Sequence, residues 1–133
     1  MIYLLKKVVR IVTFSDSSAH SVPLFNLLNV LTIQDIFKIE ILKFVHDCLN
    51  KNNPPQFHNY FTYSLSNLNT ANLRDLKLHT PQIRTSTYGL KSLLYNGVIV
   101  WNNVPLTLRS ITSRKLFAAK LKKLFISLYS SDN

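Results

Sequence analysis

The acidic side chains of this chain are too scattered for metal-dependent catalysis. Two-metal phosphoryl transfer needs paired carboxylates that hold divalent ions about 4 Å apart. The six acidic residues are Asp16, Asp35, Glu40, Asp47, Asp75 and Asp132. They include no Asp-Asp pair, and no Tyr-x-Asp-Asp motif occurs. The sequence therefore predicts no catalytic residue, and neither synthesis nor cleavage of a nucleic-acid strand by this chain alone.

The other residue types with catalytic or ligand-binding chemistry are also dispersed. The histidines are His20, His46, His58 and His79. They lack the i, i+4 pairing and the neighbouring cysteines that zinc sites prefer. Two glycines cannot form a glycine-rich phosphate loop, and no spacing of Ser, His and Asp singles out a triad. We predict no metal site and no cofactor.

Positive charge is the strongest chemical signal, and most of it lies in the C-terminal part. The chain has sixteen Lys and Arg against six Asp and Glu, a net charge of +10. Residues 1–75 have a net charge of +2 (seven basic, five acidic), and residues 76–133 have +8 (nine basic, one acidic). Such an excess favours polyanionic partners, such as nucleic acid or an anionic membrane surface. The candidate phosphate-binding residues are Arg84, Lys91, Arg109, Arg114, Lys115, Lys120, Lys122 and Lys123.

The composition indicates one modest, mainly α domain of 133 residues. We expect a helical half over 1–53, a loop-rich connection over 54–82, and a turn element plus a basic C-terminal helix over 83–133. Lys6, Lys7 and Arg10 interrupt the apolar N-terminus, unlike in a signal peptide, and no apolar run approaches the roughly 20 residues of a membrane span. The single Cys48 excludes an internal disulfide and predicts a small buried thiol. These features predict an intracellular, cytoplasmic or nuclear protein.

Hydrophobic periodicity predicts four helices. The first covers residues 2–13, and the second runs from Ser21, its expected N-cap, through Pro23 to about Leu28. Thr32-Ile33-Gln34-Asp35 has the form of a capping box before a third helix over 33–49, which ends at Asn50-Lys51-Asn52-Asn53-Pro54-Pro55. Ser113 is expected to cap the last helix, whose apolar stripe is Phe117, Leu121, Leu124, Phe125 and Leu128.

The third helix is expected to supply the core. Its apolar positions cover about half of the helical wheel, which is typical of a helix packed on two neighbours. They are Ile33, Phe37, Ile41, Leu42, Phe44, Val45, Cys48 and Leu49. After this helix, the aromatic residues from Phe57 to Tyr63, together with Leu65, could form one further helical turn, and an extended loop is expected beyond Ser64.

Residues 88–105 contain both glycines and the only tryptophan. Asn96-Gly97 between apolar runs predicts a β-hairpin, and a strand followed by one helical turn before Pro105 is the alternative. Trp101 is predicted to anchor this element to the helices, with base stacking as the lesser alternative. Gly89, Gly97, Trp101 and Pro105 are thus predicted structural residues.

The same segment resembles the extreme C-terminal region of LINE-type, non-long-terminal-repeat retrotransposon reverse transcriptases. The resemblance covers nearly the whole chain through the order and spacing of several short motifs. In the C-terminal half these are Arg84-Thr85, Tyr88-Gly89, Ser92, Tyr95, Gly97, Trp101-Asn102-x-x-Pro105, and Ser113 with Phe117. In the N-terminal half they are Lys7-x-x-Arg10-Ile11-Val12-Thr13-Phe14, His20-Ser21-x-Pro23-Leu24-Phe25 and the helix over 31–49.

Two departures from the family pattern are informative. Relatives commonly carry a His-x-Tyr/His-x-Thr-Arg run where this chain has Leu68-Asn69-Thr70-Ala71, and many have proline where this chain has Val98. A proline at that place suits the first turn of a helix, so the resemblance favours the helical alternative for residues 98–103.

The resemblance implies a non-catalytic C-terminal fragment of an RNA-directed DNA polymerase that helps to hold template RNA or target DNA. Its implied partners are nucleic acid and the missing reverse transcriptase core. Alternatives are a packing or protein-interaction module, a non-functional retroelement remnant, and docking of the C-terminal basic helix on a membrane surface.

Overall fold

The computed structural model of the chain describes residues 1–64 and 77–131 and is mainly helical, as predicted. The helices are α1 (Ile2–Val12), α2 (Ser21–Leu27), α3 (Ile33–Leu49), α4 (Leu93–Asn102), α5 (Leu106–Arg109) and α6 (Arg114–Ser131). A 3₁₀ turn covers Pro55–Phe57. An isolated antiparallel bridge pairs Tyr63 with Leu78, and the expected loop over 65–76 lies outside the described residues.

The chain divides into two compact units. One consists of residues 1–37 and 119–133, and the other consists of residues 38–118. Helices α3 and α6 therefore each contribute residues to both units.

The unit of residues 1–37 and 119–133 buries Val9 of α1 and Phe25 of α2. Thr32 caps α3 as predicted, since the Asp35 amide donates to Thr32 Oγ1 at 3.3 Å. The reciprocal bond of a capping box differs: the Asp35 carboxylate accepts from Thr32 Oγ1 at 2.7 Å, and the Thr32 amide donates to the Tyr129 hydroxyl instead. The expected N-cap at Ser21 is wrong by one position. His20 is the N-cap and makes no side-chain cap bond, while Ser21 is the first helical residue and is buried.

The unit of residues 38–118 holds most of the core. Its buried apolar side chains are Ile39, Ile41, Leu42, Val45, Cys48, Phe61, Leu78, Val98, Trp101, Val104, Leu108 and Phe117. Edge-to-face ring contacts join Phe44 to Phe57, Tyr60 and Phe61 at centroid distances of 5.5 to 6.3 Å. Asn102 ties the Leu78 backbone to α4, since its side chain accepts from the Leu78 amide at 2.8 Å and donates to the Leu78 carbonyl at 3.1 Å.

The predicted core face of α3 is correct in part. Ile41, Leu42, Val45 and Cys48 are buried, but Phe37 is 65% exposed. Ile39, which was not among the predicted core positions, is buried. The buried face of α3 is therefore rotated about the helix axis relative to the predicted face, toward the side that carries Ile39 and Leu42. Helix α3 ends at Leu49, where the chain was expected to stop.

The β-hairpin predicted around Asn96-Gly97 is wrong, and no strand lies in residues 88–104. Helix α4 runs through both residues, so the helical alternative is correct in type but begins earlier than expected. Ser92 starts the helix by accepting from the Tyr95 amide at 3.2 Å, and the Asn96 side chain donates back to the carbonyls of Leu90 and Ser92. The bond from the Tyr95 amide satisfies one of the N–H groups that have no intrahelical partner at the start of a helix.

Both glycines are required because a Cβ atom would not fit at their positions, and not because the chain reverses there. Neither has a positive φ. A Cβ on Gly97 would lie 2.9 Å from two Phe61 ring carbons and 3.1 Å from Val45 Cγ2. A Cβ on Gly89 would collide with Ile83 Cγ2 and lie 2.6 Å from the Thr85 carbonyl oxygen. Pro105 follows α4 and is the N-cap of α5.

Candidate nucleic-acid interface

Helix α6 carries the densest set of exposed cations. Ser113 precedes it, and the Ser113 carbonyl accepts from the Phe117 amide at 2.9 Å. Phe117 and Leu121 of the predicted stripe are fully buried, Leu124 and Phe125 are half-buried, and Leu128 is exposed. The stripe is thus buried mainly at its N-terminal end.

The lysines of α6 lie on the opposite side of the helix from this stripe. Lys115, Lys120, Lys122 and Lys123 are all exposed. At about 100° per residue they occupy an arc of roughly 160°, and at 1.5 Å per residue they extend over roughly 12 Å of the axis. The sequence of α6 contains no acidic residue, so no carboxylate on the helix neutralises them. This arrangement provides a row of exposed ammonium groups with no acidic side chain on the same helix.

Arg114 differs from these lysines because it already has a partner. Its Nε lies 3.0 Å from Oδ2 of Asp47, a carboxylate that is almost fully buried. The Arg114 side chain remains 60% exposed. Part of its charge therefore balances a buried acid, and Arg114 contributes less to an anion-binding surface than the lysines do.

The remaining predicted cations lie outside α6. Arg84 is exposed before the turn over 86–91, Lys91 is exposed at the end of that turn, and Arg109 is half-buried at the end of α5. Burial raises the pKa of the Tyr63 phenol, and the positive charge of Arg109 opposes that rise. Arg109 thus acts electrostatically on a neighbouring side chain of its own unit.

Trp101 is a core residue and not a base-stacking residue. It is 3% exposed, and its ring centroid lies 5.7 Å from that of Phe117. The anchoring role predicted from the sequence is therefore confirmed. The Trp101 indole N–H has no hydrogen-bond acceptor among the described residues.

A buried polar group beside Arg114 was missed by the sequence reasoning. The fully buried His46 ring stacks on Phe117 at 4.4 Å, and its Nε2 donates to the Ile111 carbonyl at 2.7 Å. Its Nδ1 lies 3.8 Å from Oδ1 of Asp47. The spacing of Ile39, Leu42, His46 and Leu49 along α3 could have indicated that His46 faces inward.

A second missed cluster lies in the unit of residues 1–37 and 119–133. The Tyr129 hydroxyl donates to the Asp35 carboxylate and accepts from the Thr32 amide at 3.1 Å. Burial, together with the hydrogen bond to the Asp35 carboxylate, raises the pKa of Tyr129. The cluster therefore strengthens the N-terminal cap of α3.

Cys48 is buried, as expected of a small core thiol. Burial raises the pKa of the Cys48 thiol, the Asn53 side-chain hydrogen bond at 3.3 Å lowers it, and the Asp47 charge raises it. A thiol of raised pKa has a smaller thiolate fraction and is less reactive.

Helix α1 exposes several apolar side chains. Leu4, Val8 and Ile11 follow at i, i+4 and i+7, and all are exposed. Phe14 is 98% exposed and has a φ of 52°. It occupies the C′ position of a Schellman motif, with the Ser15 amide on the Arg10 carbonyl at 2.9 Å, a position where glycine is usual. We call Leu4, Val8, Ile11 and Phe14 the α1 strip.

Residues 1–64 and 77–131 contain no group of three His, Cys, Asp or Glu side chains able to hold a metal ion. In the same described ranges, every helix is too short or too polar to cross a bilayer.

Comparison of the chain with protein-family models, with curated proteins and with solved structures gave no match.

Proposed function

We propose that the chain is a non-catalytic C-terminal fragment of a LINE-type retrotransposon reverse transcriptase that binds the phosphate backbone of template RNA or target DNA. The family assignment depends on the sequence motifs around Gly89, Gly97 and Trp101. The binding role depends on one structural observation, the row of exposed lysines on α6 with no acid on the same helix.

The electrostatics of this row favour a nucleic-acid backbone. Each lysine that neutralises a phosphate releases a condensed counterion, so affinity falls as salt rises. Four lysine contacts predict a slope of log affinity against log salt of about −3.6 for duplex DNA and about −2.8 for a single strand. These contacts carry no base information, so binding is expected to be independent of sequence.

The test is a salt series with a labelled RNA strand and a labelled DNA duplex. Lys122→Ala is expected to reduce the magnitude of the slope by about 0.7 on the single strand and about 0.9 on the duplex. Lys7→Ala is the matched control, since Lys7 is also an exposed helical lysine but lies on α1. Binding that ignores salt, or an equal effect of both substitutions, would contradict the proposal.

A second candidate function is favoured by the α1 strip: a protein-interaction module that packs on the reverse transcriptase core. The strip is apolar and exposed, whereas the α6 stripe is buried at Phe117 and Leu121. A second copy of the chain is a poor occupant, because Lys6, Lys7 and Arg10 share α1 and residues 1–15 contain no acid. If the chain has this role, it should bind a separately supplied polymerase segment. That binding should persist at high salt and be lost in Val8→Asp.

A further inference from the structure

Tyr88 is the aromatic side chain that the fold leaves open to solvent beside the basic residues. It is 84% exposed, more than any other aromatic among the described residues of the unit 38–118. Tyr63, Tyr60 and Phe57 of that unit are less exposed, at 45%, 40% and 37%, and Phe57 and Tyr60 also engage other rings in edge-to-face contacts. No ring contact of this kind involves Tyr88 among the described residues.

The backbone on both sides of Tyr88 is held by hydrogen bonds. The Gly89 amide donates to the carbonyl and hydroxyl oxygens of Thr85 at 3.2 and 3.1 Å. The Gly89 carbonyl accepts from the Ser92 hydroxyl at 2.8 Å, and the Leu90 carbonyl accepts from the Asn96 side chain at 3.0 Å. A side chain presented from such a constrained turn loses little backbone entropy when it binds a ligand.

The charge around this turn is positive. Arg84 and Lys91 are exposed and lie four residues before and three residues after Tyr88. Even a fully extended chain would separate their Cα atoms from that of Tyr88 by no more than about 14 and 10 Å. Residues 76–131 contain no acidic side chain. A strand whose phosphates approach these two cations therefore has its bases within reach of the ring.

We propose that Tyr88 is a base-stacking platform, with Arg84 and Lys91 as phosphate contacts for the same strand, and that this turn binds single-stranded nucleic acid. An exposed aromatic ring between cations is the combination that single-strand-binding surfaces use, and any base can stack on it. A duplex covers the faces of its bases by internal stacking, so Tyr88 gains nothing from a duplex. The inference rests on the proposed function, of which it specifies the ligand class.

The test compares three probes of equal length, about 12 nucleotides: oligouridine, an abasic strand of the same backbone, and a DNA duplex. Tyr88→Ala is expected to weaken oligouridine binding by about 5- to 150-fold, the range that the loss of one stacked base produces. Affinity for the abasic strand and the duplex is expected to stay within about twofold, because only backbone contacts remain there.

Two control variants complete the design. Tyr88→Phe keeps the ring and is expected to bind oligouridine within about twofold of the wild type, since stacking does not need the hydroxyl. Tyr3→Ala removes another exposed tyrosine, on α1, and is expected to change nothing. Because the Tyr88 ring is exposed, Tyr88→Ala should melt at the wild-type temperature, which separates a binding effect from a folding effect.

The outcomes distinguish the inference from the proposed function. If Tyr88→Ala binds oligouridine as the wild type does, and binding still falls with salt, the stacking platform is refuted and the phosphate-binding function stands. Equal losses on the abasic strand and oligouridine, or a loss in Tyr88→Phe as large as in Tyr88→Ala, also refute stacking. No binding of any probe by the wild type refutes both.

Discussion

Replacing Gly97 by alanine tests whether this glycine serves local conformation or packing, because the two roles predict opposite signs. Within a helix, Gly→Ala alone stabilises by about 0.5 to 1 kcal/mol. In α4, however, the added Cβ would lie 2.9 Å from Cε1 and Cζ of Phe61, which is closer than Cβ atoms in real proteins approach other heavy atoms. Both neighbours, Phe61 and Val45, are themselves buried and have little room to move.

The overpacking cost is expected to exceed the gain in helix propensity. Inserting a methyl group into a well-packed core costs about 1 to 3 kcal/mol. Subtracting the propensity gain leaves a net destabilisation on the order of 1 kcal/mol for Gly97→Ala, or a melting temperature lower by about 4 °C for a chain of this size. The assay is urea or thermal unfolding followed by the fluorescence of Trp101, which is buried and packs against Phe117.

A double-mutant cycle supplies the control. Phe61→Leu removes the two ring carbons that the new methyl group would meet, so Gly97→Ala should cost less, or even stabilise, in that background. A Gly97→Ala protein that melts at or above the wild-type temperature would refute the packing role, and equal costs in both backgrounds would refute the named contact.

Two further predictions concern the polar clusters. Arg114→Ala is expected to lower the free energy of unfolding by about 1 to 3 kcal/mol, because it leaves the buried Asp47 carboxylate without its partner at 3.0 Å. Adding Asp47→Asn should restore part of that loss. An Arg114→Ala protein as stable as the wild type in urea unfolding would contradict this prediction. Tyr129→Phe is expected to cost about 1 kcal/mol at neutral pH, since it removes the bonds to Asp35 and Thr32. The pKa of Tyr129 in the folded protein is raised above its unfolded value of 10.0, so the Tyr129 hydroxyl stabilises the fold below pH 10 and this stabilisation is lost as the pH rises beyond that. In a pH series from 8 to about 11, the wild type should therefore lose stability more steeply than Tyr129→Phe.

Tyr63 provides a check on the direction of the expected change in stability with pH. Burial also raises the pKa of Tyr63, so that phenol contributes alkaline sensitivity in the same direction and remains in Tyr129→Phe. Some alkaline loss should therefore persist in the single variant and shrink further when Tyr63 is also replaced by phenylalanine. A stability that rises between pH 10 and 11 would contradict the assignment for both groups.

The sequence alone determined the features that depend on near neighbours. Helical spacing located α1, α3 and α6, the sequence Thr32 to Asp35 predicted the Thr32 cap of α3, and Asn50 to Pro55 marked the end of α3. Periods, caps and breakers act over one or two helical turns, so their energies are decided within the segment itself. The basic character of residues 76–133 is likewise a property of composition.

The tertiary structure decided what depends on contacts between distant segments. The turn preference of Asn96-Gly97 is small compared with the burial of Val98 and Trp101 and the close approach of Gly97 to Phe61, so the segment is helical. His46 is buried because two groups more than sixty residues away contact its ring: Phe117 stacks on it, and the Ile111 carbonyl accepts a hydrogen bond from it. Trp101 is enclosed and Tyr88 is left in solvent for the same reason: burial is set by which distant side chains pack over a residue, and no local pattern encodes that.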